Sequence, residues 1–176
     1  MKIDIARQPL VPAFMTLFAL AVAAMCAGIP VSDTSGAVRD ALPLLGGQLA
    51  RFQAAYPVWS KFAAGFMLLF TGMCAGRITI RYNLYTVGTC LPIPLYAIVA
   101  CGIATGGNYL AGFAASMLLA LATKNYCRAF CNGYGFDAIF RASLYLGLMP
   151  LIYAPALPLL LLLPLAVLLF RRTFRE

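Results

Sequence analysis

YNLYTVGTCLPIPLYAIVACGIATGGNYLAGFAASMLLALAT, residues 82–123, runs for 42 residues without a charge. As one continuous helix it would extend about 63 Å, twice the roughly 30 Å of a bilayer's hydrocarbon core. It therefore divides into two crossings. Thr105-Gly106-Gly107-Asn108 is the turn signal at which it divides. Pro92 and Pro94 fall inside the first of these crossings and break its backbone ladder, so Cys90 to Leu95 reads as a helix kink with a groove beside it.

Three further uncharged runs flank this one. Residues 8–32 give 25 residues, 62–76 give 15, and 142–170 give 29. The first holds one crossing, about 10–29, closed by Gly28 and Pro30. Its basic start and apolar body also fit a secretory signal, but Ala24-Met25-Cys26 is a poor cleavage context, so a retained crossing is expected. The second run reaches spanning length by borrowing Tyr56 to Ser60, giving about 56–76 with Trp59 and Lys61 at one interface. In the last run Pro150, Pro155, Pro158 and Pro164 leave two readings: one kinked crossing, or a short hairpin of 137–153 and 157–170.

Composition agrees with a membrane solvent. The chain is 63% hydrophobic and 10% charged, with mean hydropathy +0.90, against about 25% charged in a soluble domain. That excludes an ordinary soluble enzyme, a disordered chain and a nucleic-acid-binding module. The net charge of +8 then marks membrane flanks.

Lysine and arginine accumulate on the cytoplasmic side. With the N-terminus inside and six segments, Lys2, Arg7, Arg77, Arg81, Lys124, Arg128, Arg141, Arg171, Arg172 and Arg175 lie inside, and only Arg39, Arg51 and Lys61 outside. This ten-to-three division favours the hairpin and puts both ends in the cytoplasm. The expected fold is an all-α, polytopic transmembrane helical bundle, residues 1–176 forming one domain. Its spans are about 10–29, 56–76, 84–104, 108–123, 137–153 and 157–170, in the bacterial inner membrane.

Residues 32–55 are the one sizeable outer loop. Val38, Ala41, Leu42, Leu45, Leu49 and Phe52 recur at helical spacing, predicting an amphipathic helix on the outer leaflet, bent near Pro43 and Gly46-Gly47. On the cytoplasmic side Lys124 and Arg128 stand one turn apart beside Tyr126 and Phe130, a pattern that attracts anionic headgroups. Arg77, Arg81, Lys124, Arg128 and Arg141 are the candidate lipid- or phosphate-binding residues. Topology alone would also put basic residues there. Asp137 is placed to cap the following helix or to pair with Arg141, which is i,i+4 to it.

Catalytic chemistry is sparse. The chain has no histidine and six cysteines without a CxxC. Cys127 and Cys131, one turn apart, make half a zinc site, so no metal and no cofactor is expected. No acidic pair lies within a span, and no phosphate loop occurs. Gly65, Thr71, Gly72 and Gly76, and the face Gly112, Ser116, Ala120, are small residues that let helices approach.

From Arg77 onward RITIRYNLY, LPIPLYAIV, the GGN turn, a small-residue span and FDAIFRASLYLGLMPLIYAPALPLLLLLPLAVLLFRRTFRE follow one another. This order resembles a family of uncharacterised polytopic bacterial envelope proteins, itself distantly similar to exopolysaccharide polymerases of the Wzy/EpsG type. The marks are Leu146-Gly147-Leu148, Leu151, Tyr153 and Pro155, then Arg171, Arg175 and Glu176. The resemblance covers about 77–176 and implies an envelope location and polysaccharide biosynthesis. Its members continue with further spans, which implies that this chain matches their amino-terminal part or is a short relative. The missing histidine departs from the residues such polymerases commonly use, so location is implied more firmly than activity.

Three functions remain open. The first is a protein that acts on or binds lipid-linked glycan or lipid, with an anionic lipid or polyprenyl-linked substrate as partner. The second is a non-enzymatic subunit packing in a homo- or hetero-oligomer. The third is a small transporter or channel.

Overall fold

The computed structural model describes residues 10–26, 44–82, 90–104, 108–131 and 135–169. Every regular element among them is helical. The order is α1 (Leu10–Cys26), α2 (Leu44–Ala55), α3 (Pro57–Arg81), α4 (Pro92–Ala104), α5 (Tyr109–Cys131), α6 (Phe136–Ile152), a 3-10 helix (Ala154–Leu161) and α7 (Leu162–Leu169). The protein is all-α. Among the described residues one helix, α3, is long and apolar enough to cross a membrane.

The boundaries follow local chemistry. Tyr56 is forced out of the helical region by Pro57, with φ −132° and ψ 71°, so α2 ends and α3 restarts with proline at its first position. Pro92 and Pro94 stand in the first turn of α4, where a missing N–H leaves no intrahelical bond unmade. They open a helix rather than kink one, which corrects the expectation drawn from their place within the long uncharged run. α2 runs uninterrupted through Gly46-Gly47; the part of the outer loop before Leu44, including Pro43, lies outside the described residues.

The chain after α6 breaks at Tyr153, whose backbone is extended (φ −139°, ψ 100°). Pro155 and Pro158 then impose a 3-10 helix instead of an α-helix. Leu159 and Leu163 pack against the cluster of Leu146, Met149, Ala115 and Ala122. The segment after Tyr153 is thus tied to the α5–α6 cluster.

Two clusters share α5. The first joins Ala13, Leu17 and Ala21 of α1, Ala64 and Leu68 of α3, Ile93, Ala97 and Ala100 of α4, and Tyr109, Leu110 and Phe113 of α5. The second is the α5–α6–terminal cluster just described. Because α5 is packed on both sides, its deeply buried small residues are Ala111, Ala114, Ala115, Ala122 and Ala129, while Gly112, Ser116 and Ala120 are half-buried. The four-residue face expected at 112, 116 and 120 is therefore not the tightest contact.

Buried positions are small and exposed positions are large. Along α3 the buried side holds Ser60, Ala64, Leu68, Gly72 and Gly76 at four-residue intervals. The outward side carries Trp59, Phe62, Phe66, Phe70 and Met73. Leu17 seats on Gly72 and Ile93 on Gly76, the close approach that small residues permit. Gly147 on α6 differs: a Cβ there would meet nothing within 4 Å. Gly147→Ala is expected to raise stability by about 0.5–1 kcal/mol through helix propensity alone, checked by thermal unfolding of the solubilised protein.

Buried hydroxyls lock the register of α3 against α5. Ser60 Oγ donates to Pro57 O (2.8 Å) and lies 2.6 Å from the Tyr109 hydroxyl. Serine has one proton, so when both bonds form Tyr109 is the donor to Ser60. Gln53, 4% exposed, accepts from the Leu110 amide at 3.4 Å, occupying a donor the start of α5 leaves open. Ser60→Ala strands the buried Tyr109 hydroxyl and should cost about 1–3 kcal/mol, whereas Tyr109→Phe leaves Ser60 bonded to Pro57 and should cost about 1 kcal/mol. Chemical unfolding of the two variants checks the order.

Candidate functional site

The first turns of α3 and α5 are paired through Ser60 and Tyr109, so the helices run in the same direction and their basic ends converge. α5 continues past the uncharged run to Cys131, carrying Lys124 on regular helix. α3 continues past Gly76 to Arg81. The result is a cavity of about 670 Å³ lined by Arg77, Arg81 and Lys124 together with Phe70, Met73, Ile80 and Ile93. Three of the five basic candidates come together here. All three side chains are exposed.

Among the described residues no carboxylate lines the cavity. Among the described residues the one acidic side chain is Asp137, and it is engaged elsewhere: Arg141 Nε donates to Asp137 Oδ1 at 3.0 Å. That exposed i,i+4 pair contributes at most about 1 kcal/mol. Arg141 therefore has its counter-charge at the start of α6 and does not join the cavity. Arg128, one turn beyond Lys124 on α5, is exposed and outside the lining.

Polar groups nearby are neutral. Tyr126 stacks on Phe130 with ring centroids 5.8 Å apart and planes at 5°. Burial pushes its phenol upward, with the Ser143 hydroxyl pulling the other way. It stays protonated and adds no negative charge beside Lys124. Cys74 lines the cavity as a free thiol. Among the described residues no group of three metal-ligating side chains occurs, and Cys131, the partner Cys127 would need, has its side chain outside the described set.

At the opposite end of α3 an open groove of about 540 Å³ is lined by Phe52, Tyr56, Trp59, Phe62, Ala63 and Phe66. Phe66 and Phe70 stack with centroids 6.4 Å apart, joining this groove to the apolar floor of the basic cavity. Pro92 and Pro94 do not line that cavity, although their neighbour Ile93 does.

In the bundle's interior the Tyr96 hydroxyl lies 3.3 Å from Ser116 Oγ, and Ser116 donates to Phe113 O at 2.8 Å. Thr71 is 2% exposed, and among the described residues its hydroxyl makes no hydrogen bond of good geometry. The uncharged run gave no reason to expect these contacts.

Compared with family models, curated proteins and solved structures, the chain matches none. The functional reading rests on the geometry.

Proposed function

We propose that this chain is a polytopic protein of the bacterial inner membrane that binds an anionic lipid at its cytoplasmic end. The observation that carries the reading is the convergence of Arg77, Arg81 and Lys124 on one apolar-floored cavity, with no carboxylate among the described residues that line it. A cationic cluster beside phenylalanine, methionine and isoleucine suits a molecule that is charged at one end and hydrocarbon at the other. The membrane setting is supported by α3 itself. Trp59 and Arg77 are separated by about 27 Å of helical rise, close to one hydrocarbon core. The face between them is large, apolar and outward.

Both termini are cytoplasmic in this reading, and the six segments are α1, α3, α4, α5, α6 and the terminal hairpin arm, with α2 docked at the outer end. The role is binding rather than chemistry, within the handling of lipid-linked glycan or membrane lipid. Native mass spectrometry of the protein extracted with its lipids tests it. A retained anionic lipid, lost in Arg77→Ala/Arg81→Ala, supports the reading; bulk zwitterionic lipid alone overturns it.

One observation favours a second reading, a subunit of a larger assembly. The outward face of α6 carries Phe136, Phe140, Leu144 and Leu151 around the open Gly147, and an exposed glycine on an apolar helix suits contact with another helix. A stoichiometric second protein in the same spectrum would select it.

A further inference from the structure

Resting on the lipid-binding reading of the α3–α5 cavity, we infer that its ligand is a lipid bearing a terminal phosphate, a phosphomonoester, and not a phosphodiester lipid. The argument is a match of charge. Among the described residues, three cations and no carboxylate line the cavity. A phosphodiester headgroup brings one negative charge, shielded on both sides by its ester links. A terminal phosphate brings about −1.5 to −2 near neutral pH and three strong acceptor oxygens. Arg77 and Arg81 lie one helical turn apart on the same face of α3, and Lys124 faces them from α5. Two guanidinium forks and one ammonium provide donors for three oxygens, which a headgroup esterified on both sides does not offer.

The lining also excludes free phosphate as the intended occupant. Phe70, Met73, Ile78, Ile80 and Ile93 form an apolar stretch of the wall, and a small dianion leaves them bare. The hydrocarbon of a lipid covers them and continues along Phe66 toward the aromatic groove.

The inference has a signature that the chain's composition keeps clean. A terminal phosphate gains its second charge near pH 6, and this protein contains no histidine. Among the described residues the groups facing the cavity are Arg77, Arg81, Cys74 and Tyr82 from the α3 side and Lys124 from α5, with apolar Ile93 from α4. Guanidinium, ammonium, thiol and phenol groups as classes ordinarily titrate well above pH 6. A change in affinity between about pH 5 and about pH 7.5 therefore belongs to the ligand.

The test uses the full chain in detergent micelles and fluorescently labelled dioleoyl phosphatidic acid, with labelled dioleoyl phosphatidylglycerol as the diester control. Anisotropy titrations are run at both pH values. If only the dianion is bound, affinity follows its fraction and phosphatidic acid binds about tenfold tighter at the higher pH, while phosphatidylglycerol is weaker and flat. Arg81→Gln, at an exposed position, should abolish most of the pH response without unfolding the protein. Equal binding of the two lipids, or a flat response to pH for phosphatidic acid, overturns the inference while leaving the lipid-binding reading intact. Inorganic phosphate competing at the concentration of the lipid itself overturns it in favour of a soluble anion. No binding of either lipid, unaffected by Arg77→Ala/Arg81→Ala, sinks the lipid-binding reading as well.

Discussion

Arg77→Ala/Arg81→Ala is expected to weaken binding of an anionic lipid by at least about a hundredfold while leaving the fold untouched. Each arginine contributes hydrogen bonds to a charged acceptor, worth about 1.5–3 kcal/mol apiece, and losing two amounts to about 3 kcal/mol or more. The lower bound is the appropriate one because both side chains are exposed and water screens part of the attraction. Exposure also protects the fold, since surface substitutions away from special contacts usually stay within about 0.5 kcal/mol. Lys124→Ala should cost less than either arginine, because an ammonium is a point charge without the bidentate fork.

The same experiment separates a site from a general basic surface. Arg128 lies outside the cavity lining, and Arg141 already holds Asp137 at 3.0 Å. If affinity depended only on the positive charge of the protein's basic end, Arg128→Ala and Arg141→Ala would weaken binding as much as Arg77→Ala. If the cavity is the site, those two variants change the dissociation constant less than about twofold, and raising salt weakens all variants in parallel. Anisotropy with labelled phosphatidic acid reads both outcomes.

How much of this was legible in the sequence can be followed residue by residue. The pairing of Arg77 with Arg81 follows from i,i+4 spacing, and charge bias was enough to group both with Lys124. Their meeting in one cavity depended on something the uncharged runs conceal: α3 and α5 continue as helix beyond the first charged residue, to Arg81 and Cys131. Ending each helix at its last uncharged residue underestimates it, because long basic side chains extend from regular helix toward water.

Pro92 and Pro94 failed for the converse reason. An apolar run sets no helix start, and a proline inside the run looks the same whether it interrupts a helix or opens one. The structure decides by placing Cys90 and Leu91 before the first helical turn. The interior polar contacts were missed because a lone hydroxyl in an apolar run names no partner. A signal was available in part: Ser60 and Thr71 are eleven residues apart, about three turns, so they share a helix face. That face is the buried one, holding Gly72 and Gly76 as well.

Gly76→Leu should be the most damaging single substitution along that face, costing about 3 kcal/mol or more. Even the first atom of a side chain has nowhere to go. A Cβ at position 76 would lie 2.5 Å from Ile93 Cδ1 and 2.6 Å from Cγ1. Ile93 is 1% exposed and β-branched, so its Cγ1 is held by a stiff rotamer. Gly72 is also crowded, but by the terminal methyls of Leu17 at 2.7 and 2.8 Å, which yield by a smaller torsional change. Gly72→Ala should therefore cost less than Gly76→Ala, although the gain in helix propensity, up to about 1 kcal/mol, is the same for both. Coupling identifies the cause. Ile93→Ala alone removes buried volume and should cost about 2–5 kcal/mol. Combined with Gly76→Ala it should cost clearly less than the sum, because each substitution relieves what the other disturbs. Additive costs would mean that α4 does not rest on Gly76. Since Gly76 and Ile93 also line the basic cavity, the same double variant, less destabilised than the sum of its parts, should still bind lipid with altered affinity, through a changed floor beneath intact arginines.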